Sequence, residues 1–245
     1  MVALIGVDLG WYGKPSGLAC VRWDGVLLRQ HRVAWLEGAD DVLRWIESEA
    51  AGGDAVAAVD APLVIRNESG IRECERGVNR DFRRYDAGCH AANLGRPFAA
   101  LVTAFSARLE ALGFRRGALM QAREPGRFQI EVHPHAAAVR LFGLERIVKY
   151  KKGRRAERAS ELNRLRRLMS ERLAEADPPL DVTLPPVPDT GSTKPAEDQI
   201  DAVLCAYIAA HYWSWGRERN TVYGSNEGGY IVVPAPDRVL YSSAE

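Results

Sequence analysis

The sequence predicts an α/β protein with a mixed central sheet, in which an antiparallel hairpin meander is continued by parallel strands and flanked by helices. Three observations carry this. Residues 3–9 (Ala-Leu-Ile-Gly-Val-Asp-Leu) are a short apolar run rich in strand formers that ends at a glycine. Two further strand-like runs, Gly17 to Trp23 and Val26 to Val33, enclose Asp24-Gly25, a strong short-range hairpin signal. After a helical pattern, Ala55-Val-Ala-Ala-Val-Asp60 is again continuously apolar. Such a run is expected in the sheet interior, parallel to the first strand.

The remaining elements follow in order. Residues 40–50 predict a helix, with Asp40 or Asp41 as its cap and Val42, Leu43, Trp45 and Ile46 as its apolar stripe. Residues 66–96 are polar, arginine-rich and broken by glycines, and their pattern assigns no element. Residues 97–113 predict a helix closed by Gly113. Phe128 to Val132 predicts a strand, followed by His133-Pro134-His135 and a helical stretch to Phe142. Leu162, Leu165, Met169 and Leu173 stripe a basic amphipathic helix over 155–175. Residues 177–195 carry six prolines, and a loop longer than about 12–15 residues in a compact domain is usually a lid or a binding loop. A buried helix is expected over 196–215, then two short strand-like runs, Tyr230 to Val233 and Arg238 to Tyr241. The pattern reads as one domain over 1–245, with insertions at about 64–96 and 143–195.

Composition narrows the function classes. Thirty-three basic residues stand against 32 acidic ones, for a net charge of +1, which excludes a uniformly basic nucleic-acid coat and an acidic disordered tail. No apolar run reaches the roughly 20 residues of a membrane span. The N-terminus has no basic start or cleavage site, and Cys20, Cys74, Cys89 and Cys205 are scattered, so the expected location is cytoplasmic, with reduced thiols. The charge is segregated all the same. Residues 37–60 hold seven acids and one base, whereas residues 146–172 hold eleven bases and three acids. The basic stretch reads either as a solvated helix face or as a footprint for a polyanion.

The carboxylates decide between these readings. Asp8 interrupts an apolar strand, where an isolated ionised carboxylate is costly. Asp60 ends the second apolar strand, so both acids are expected at the C-terminal edge of the sheet, where open α/β sheets hold ligands. Asp198 and Asp201 are spaced i, i+3 at the start of the last helix, with Glu197 beside them. Taken singly, Glu197 and Asp198 complement a helix N-terminus and Asp60 before Ala61-Pro62 is a turn residue. Taken together, they are the oxygen ligands that two Mg²⁺ or Mn²⁺ ions need for in-line attack on a phosphodiester.

The order of strand Asp, hairpin, helix, strand Asp and late acidic helix resembles the RNase H-like superfamily, and Glu197 to Ala206 is similar to the final acidic helix of RuvC-type resolvases. More closely, the chain resembles domain-of-unknown-function family 429, described as predicted RNase H-like nucleases. The matching segments are Gly6-Val-Asp-Leu-Gly10, Pro15-Ser-Gly-Leu-Ala19, Asp60-Ala-Pro-Leu63, Arg72-Glu-Cys-Glu75, Glu131-Val-His-Pro134 and Asp201-Ala-Val-Leu-Cys-Ala206. The resemblance implies an RNase H-like fold and a metal-dependent nuclease acting on DNA or RNA, with Asp8, Asp60, Asp198 and Asp201 as catalytic metal ligands. RuvC-type enzymes usually carry Glu where this chain has Asp60. They also dimerise, so a homodimer is the implied state.

Auxiliary candidates are Glu131, His133 and Glu197 as further ligands or proton shuttles. Lys149, Lys151, Lys152, Arg154, Arg155 and Arg72 are candidate phosphate contacts, with Tyr150 available for stacking. A zinc site from Cys74, Cys89, His90 and the histidine pair matches no zinc spacing. Two other classes stay open: an actin- or hexokinase-type phosphotransferase with a phosphate loop at Gly10 to Gly17, and a silent binding protein that keeps the fold.

Overall fold

The computed structural model describes residues 1–237. Its frame is a seven-stranded sheet with an added two-stranded hairpin. Strands β1 (Ala3–Asp8), β2 (Ser16–Trp23) and β3 (Leu28–Leu36) form the expected antiparallel meander. Helix α1 (Ala39–Glu49) then leads to β4 (Ala55–Val59), which lies parallel to β1. The cap of α1 differs from expectation. Gly38, at φ 78°, precedes the helix, and Asp40 and Asp41 lie within its first turn without a side-chain capping bond.

The arginine-rich segment that assigned no element holds α2 (Glu73–Phe82). Next come α3 (Ala99–Ala111), the two-residue β5 (Arg115–Arg116), β6 (Arg127–Glu131), α4 (Pro134–Phe142) and the basic α5 (Arg155–Ala174). Within the proline-rich stretch, β7 (Leu180–Asp181) pairs parallel to β3 and extends the sheet. The strand order is then β5-β6-β4-β1-β2-β3-β7. Helix α6 (Lys194–Trp215) is followed by the hairpin β8 (Asn220–Ser225) and β9 (Gly229–Pro234). The sequence reading missed β8. Its second tail run, Arg238 to Tyr241, lies outside the described residues. No helix among the described residues is long and apolar enough to cross a membrane.

Two apolar layers sandwich the sheet. Leu4, Ala19, Val56, Ala58 and Ile130 face α4, α5 and α6, while Ile5, Val7, Leu18 and Val59 pack with α1 and α3 on the other side. Strand alternation puts Asp8 on the same face as Leu4 and Gly6, and Asp60 continues the face of Val56 and Ala58.

That face is the one α6 covers, and two glycines set how closely. A Cβ on Gly6 would sit 1.9 Å from the Ala202 carbonyl oxygen, and one on Gly17 would sit 2.0 Å from that of Asp198. Both glycines therefore let helix backbone lie directly on β1 and β2, which carries the acidic turn of α6 to the strand end that bears Asp8. The arrangement is consistent with an RNase H-like fold.

Candidate active site

A cavity of about 850 Å³ opens at the C-terminal ends of β1 and β4. Asp8, Asp60 and Asp198 line it, with Lys14, Lys149, Lys151, Lys152 and Lys194 among the surrounding side chains. The structure thus gathers acids from positions 8, 60 and 198 beneath a lysine rim. Asp201 lies behind them and is 0% exposed.

The two pairs of carboxylates are held very differently. Asp201 Oδ1 accepts a hydrogen bond from the Tyr150 hydroxyl at 2.6 Å, and Lys151 Nζ stands 2.8 Å from Oδ2. Asp198 Oδ2 accepts from Trp35 Nε1 at 3.1 Å, and its Oδ1 meets Lys194 Nζ. Lys194 also reaches Glu197 at 3.4 Å. Asp201 Oδ2 and Asp8 Oδ2 are both buried without a hydrogen bond, but Asp201 Oδ2 has the Lys151 ammonium beside it, whereas Asp8 Oδ2 has no ion pair either. Asp60 is anchored through its backbone: its N–H donates to the Val7 carbonyl at 2.9 Å and its carbonyl accepts from Trp11 Nε1 at 3.5 Å.

Burial pushes the Asp8 carboxyl well above the usual carboxylate range; Lys151 opposes the shift, while Asp201, Asp60 and Asp198 add to it. Burial likewise lifts Asp60 to about 7, with Lys151 again opposing and Asp201 and Glu131 adding. Burial works against the Lys151 ammonium, but Asp201, Tyr150, Asp8 and Asp60 outweigh it and hold the group well above its ordinary value. The carboxylates are short of positive charge, and a lysine supplies part of what is missing.

The auxiliary candidates separate. Glu131 is a framework residue: Arg72 grips it at 2.5 and 2.9 Å, and it accepts the Leu63 N–H at 3.0 Å, fixing the chain just beyond Asp60. Arg72 is 4% exposed, and its guanidinium also serves Glu75 and the Val64 carbonyl. It is therefore withdrawn from the set of phosphate contacts. Arg155 is spent on the Gly191 and Pro188 carbonyls, which strap the proline-rich stretch against α5. Of the 177–195 stretch only Lys194, the first residue of α6, lines the cavity; residues 177–193 do not.

Lys149, 3.2 Å from Asp86, and Lys152 remain on the rim, while Arg154 is exposed beyond it. Tyr150, 3% exposed and bonded to Asp201, has no face free for stacking. His133 and His135 line the wall, and burial lowers them to about 3 and about 4, leaving both neutral at pH 7. Glu197 is buried beside Lys194, outside the cavity lining.

Several site residues escaped the sequence reading. Lys194 stands i, i+3 and i, i+4 from Glu197 and Asp198, a spacing that marks ion pairs on a helix and was legible. Trp35, Lys14 and Tyr12 carried no signal. Tyr12 lines the cavity mouth, 60% exposed, with a left-handed backbone at φ 62° and its ring edge-on to Phe98 at 6.2 Å. A non-glycine residue held there is uncommon and worth functional scrutiny.

The implied metal would face an all-oxygen donor set. It consists of carboxylate oxygens, which suit a hard divalent cation, and the buried, unpartnered Asp8 Oδ2 is an acceptor waiting for one. As the side chains stand, no three His, Cys, Asp or Glu among the described residues converge as a metal site; the cation that Asp201 meets is the Lys151 ammonium. The same holds for the cysteine–histidine set, so zinc gains no support. Asp8 and Asp60, with Asp198 beside them, are the residues that would hold Mg²⁺ or Mn²⁺.

Comparison with curated proteins finds no match. A family model does match, over residues 6–227, a span containing all four aspartates and all of the seven-stranded sheet except the start of β1. The chain belongs to the family of proteins of unknown function designated DUF429.

Proposed function

We propose that the protein is a Mg²⁺- or Mn²⁺-dependent nuclease that cleaves phosphodiester bonds in DNA or RNA. One observation carries this reading: acids from two parallel strand ends and from α6 line one cavity together with five lysines. A polyanion with a hydrolysable ester fits that pairing, because the rim neutralises phosphates while the floor takes a cation. When bound, the ion would supply Lewis-acid polarisation of the phosphate and activation of water. The chain's own residues do the positioning. Asp8 and Asp60 present oxygen ligands from rigid strand ends, and Trp35 and Lys194 fix Asp198 in its rotamer. Lys14, Lys149 and Lys152 would bind the flanking phosphates.

The phosphotransferase reading has less support in the 10–17 segment. The Gly10 N–H already donates to Ser16 Oγ at 2.9 Å, and Gly17 is occupied by its approach to α6. The deciding experiment compares wild type with Asp8→Asn on single-stranded, duplex and branched substrates in Mn²⁺. Cleavage by wild type alone supports the nuclease reading. Equal cleavage by both points to contamination, and none by either favours a silent binding protein. Nucleotide hydrolysis without nucleic-acid cleavage, lost in Asp8→Asn, returns the phosphotransferase.

A further inference from the structure

We infer that Lys151 takes the place of a second metal, so that the carboxylate cluster binds one divalent cation and not two. The inference rests on the metal-dependent reading above and deepens it. Two-ion sites use their second ion to neutralise charge that one ion cannot reach. Here the deep member of the cluster, Asp201, is already served. It is wholly buried, its Oδ1 is taken by the Tyr150 hydroxyl at 2.6 Å, and its Oδ2 lies 2.8 Å from the Lys151 ammonium.

Asp198 is served in the same manner, by Trp35 Nε1 and Lys194. Each helix carboxylate thus has one neutral donor and one ammonium. The strand carboxylates have no such close partners. Asp8 Oδ2 is buried and unpartnered, no side chain among the described residues hydrogen-bonds or ion-pairs with the Asp60 carboxylate, and Lys151 acts on both only from longer range. The open ligand positions are therefore on the Asp8–Asp60 side.

The tether of Lys151 is suited to a fixed role. It follows Tyr150, which is 3% exposed and bonded to the same aspartate, so backbone and ammonium are pinned together. Lys149, Lys151 and Lys152 all line the cavity, and of the three only Lys151 ion-pairs with an aspartate of the cluster. Segment 149–152 thereby commits one of its lysines to an aspartate. An ammonium held this way is a permanent cation that no chelator removes.

The test is the number of Mn²⁺ ions bound per chain, counted by calorimetric titration and by loss of the free-ion paramagnetic resonance signal. Wild type is expected to bind one, Asp8→Asn none. Lys151→Met, which frees Asp201 Oδ2, is expected to bind two, whereas Lys151→Arg keeps the charge and is expected to bind one. Two ions in wild type overturn the inference and leave the nuclease reading intact. No binding in wild type at millimolar Mn²⁺ removes the metal reading itself. A folded Lys151→Met that still binds one ion overturns the exchange of ammonium for metal. If that variant does not fold, the wild-type count decides: one supports the inference, two refutes it.

Discussion

Two buried ionic clusters sit at the same end of the sheet, within reach of one cavity, and they are built on opposite plans. In the first, Arg72 meets Glu131 and Glu75. The remaining carboxylate capacity is taken by the backbone N–H groups of Leu63, Arg72 and Ala92. Every charge there has a partner of opposite sign or a donor. In the second, four aspartates share two lysines, and Asp8 Oδ2 is left with nothing. Burial is common to both, so burial alone does not mark a site. What distinguishes them is saturation: the closed cluster holds α2, β6 and the chain after β4 together, and the open one is short of a cation.

The largest effect should come from breaking the closed cluster. Arg72→Met leaves Glu131 and Glu75 buried without their cation and should cost about 3–5 kcal/mol in urea unfolding. An unchanged midpoint would show that the network does not hold the fold, and the contrast between the clusters would collapse.

Next comes the contact that assembles the open cluster. Gly6→Ala drives a methyl into the Ala202 carbonyl and should cost roughly 1–3 kcal/mol or more. It should also weaken Mn²⁺ binding, since α6 must lift from β1. Lost stability with Mn²⁺ affinity retained would mean that the helix position does not set the site.

The pH dependence of the open cluster has a definite sign. Asp60 titrates near 7 when folded, against about 3.9 unfolded. Between these values the unfolded chain has released a proton that the folded chain keeps, so in metal-free buffer this group lowers stability as pH rises from about 4 to about 7. Asp60→Asn removes that loss. Its stability relative to wild type should therefore climb across the window, by up to ~1.4 kcal/mol per pH unit, and level off above it. The buried histidines act in the opposite sense. His211, lowered by burial to about 4, contributes stability that is full above about 6.5 and is lost as pH falls through that range towards 4. A flat Asp60→Asn difference between pH 4 and 7 would mean that the carboxylate is not strained by burial.

The smallest effect belongs to the rim. Tyr12→Ala removes an exposed ring and should change stability by less than about 0.5 kcal/mol. If nucleic acid enters past this ring, its affinity for single strands should fall about 5- to 150-fold, about 1–3 kcal/mol per stacked base, with Tyr12→Phe retaining it. Equal affinity of both variants would take Tyr12 out of the binding surface.

Much of this frame was legible in the sequence, for a physical reason. A carboxylate at the end of an apolar strand is costly enough to stand out, so Asp8 and Asp60 could be read from one dimension, and the i, i+3 spacing of Asp198 and Asp201 announced a shared helix face. What could not be read are meetings across long separations. Arg72 finds Glu131 59 positions away, and Tyr150 finds Asp201 51 positions away. A charge count sees only a run of bases over 146–172. It cannot show that, of three lysines lining one cavity, Lys151 is the one that pairs with an aspartate. The proline-rich stretch misled for a related reason: composition showed an irregular segment, but only the carbonyls held by Arg155 reveal that it is strapped to α5.

The central claim is that the open cluster exists to hold a divalent cation. Crystals soaked in Mn²⁺ and measured at the manganese absorption edge test it most directly. An anomalous peak in contact with the Asp8 and Asp60 carboxylates, absent from crystals of Asp8→Asn, is the expected result. A saturating soak that leaves the cavity floor without a peak, with Asp8 Oδ2 still unpartnered, would contradict it.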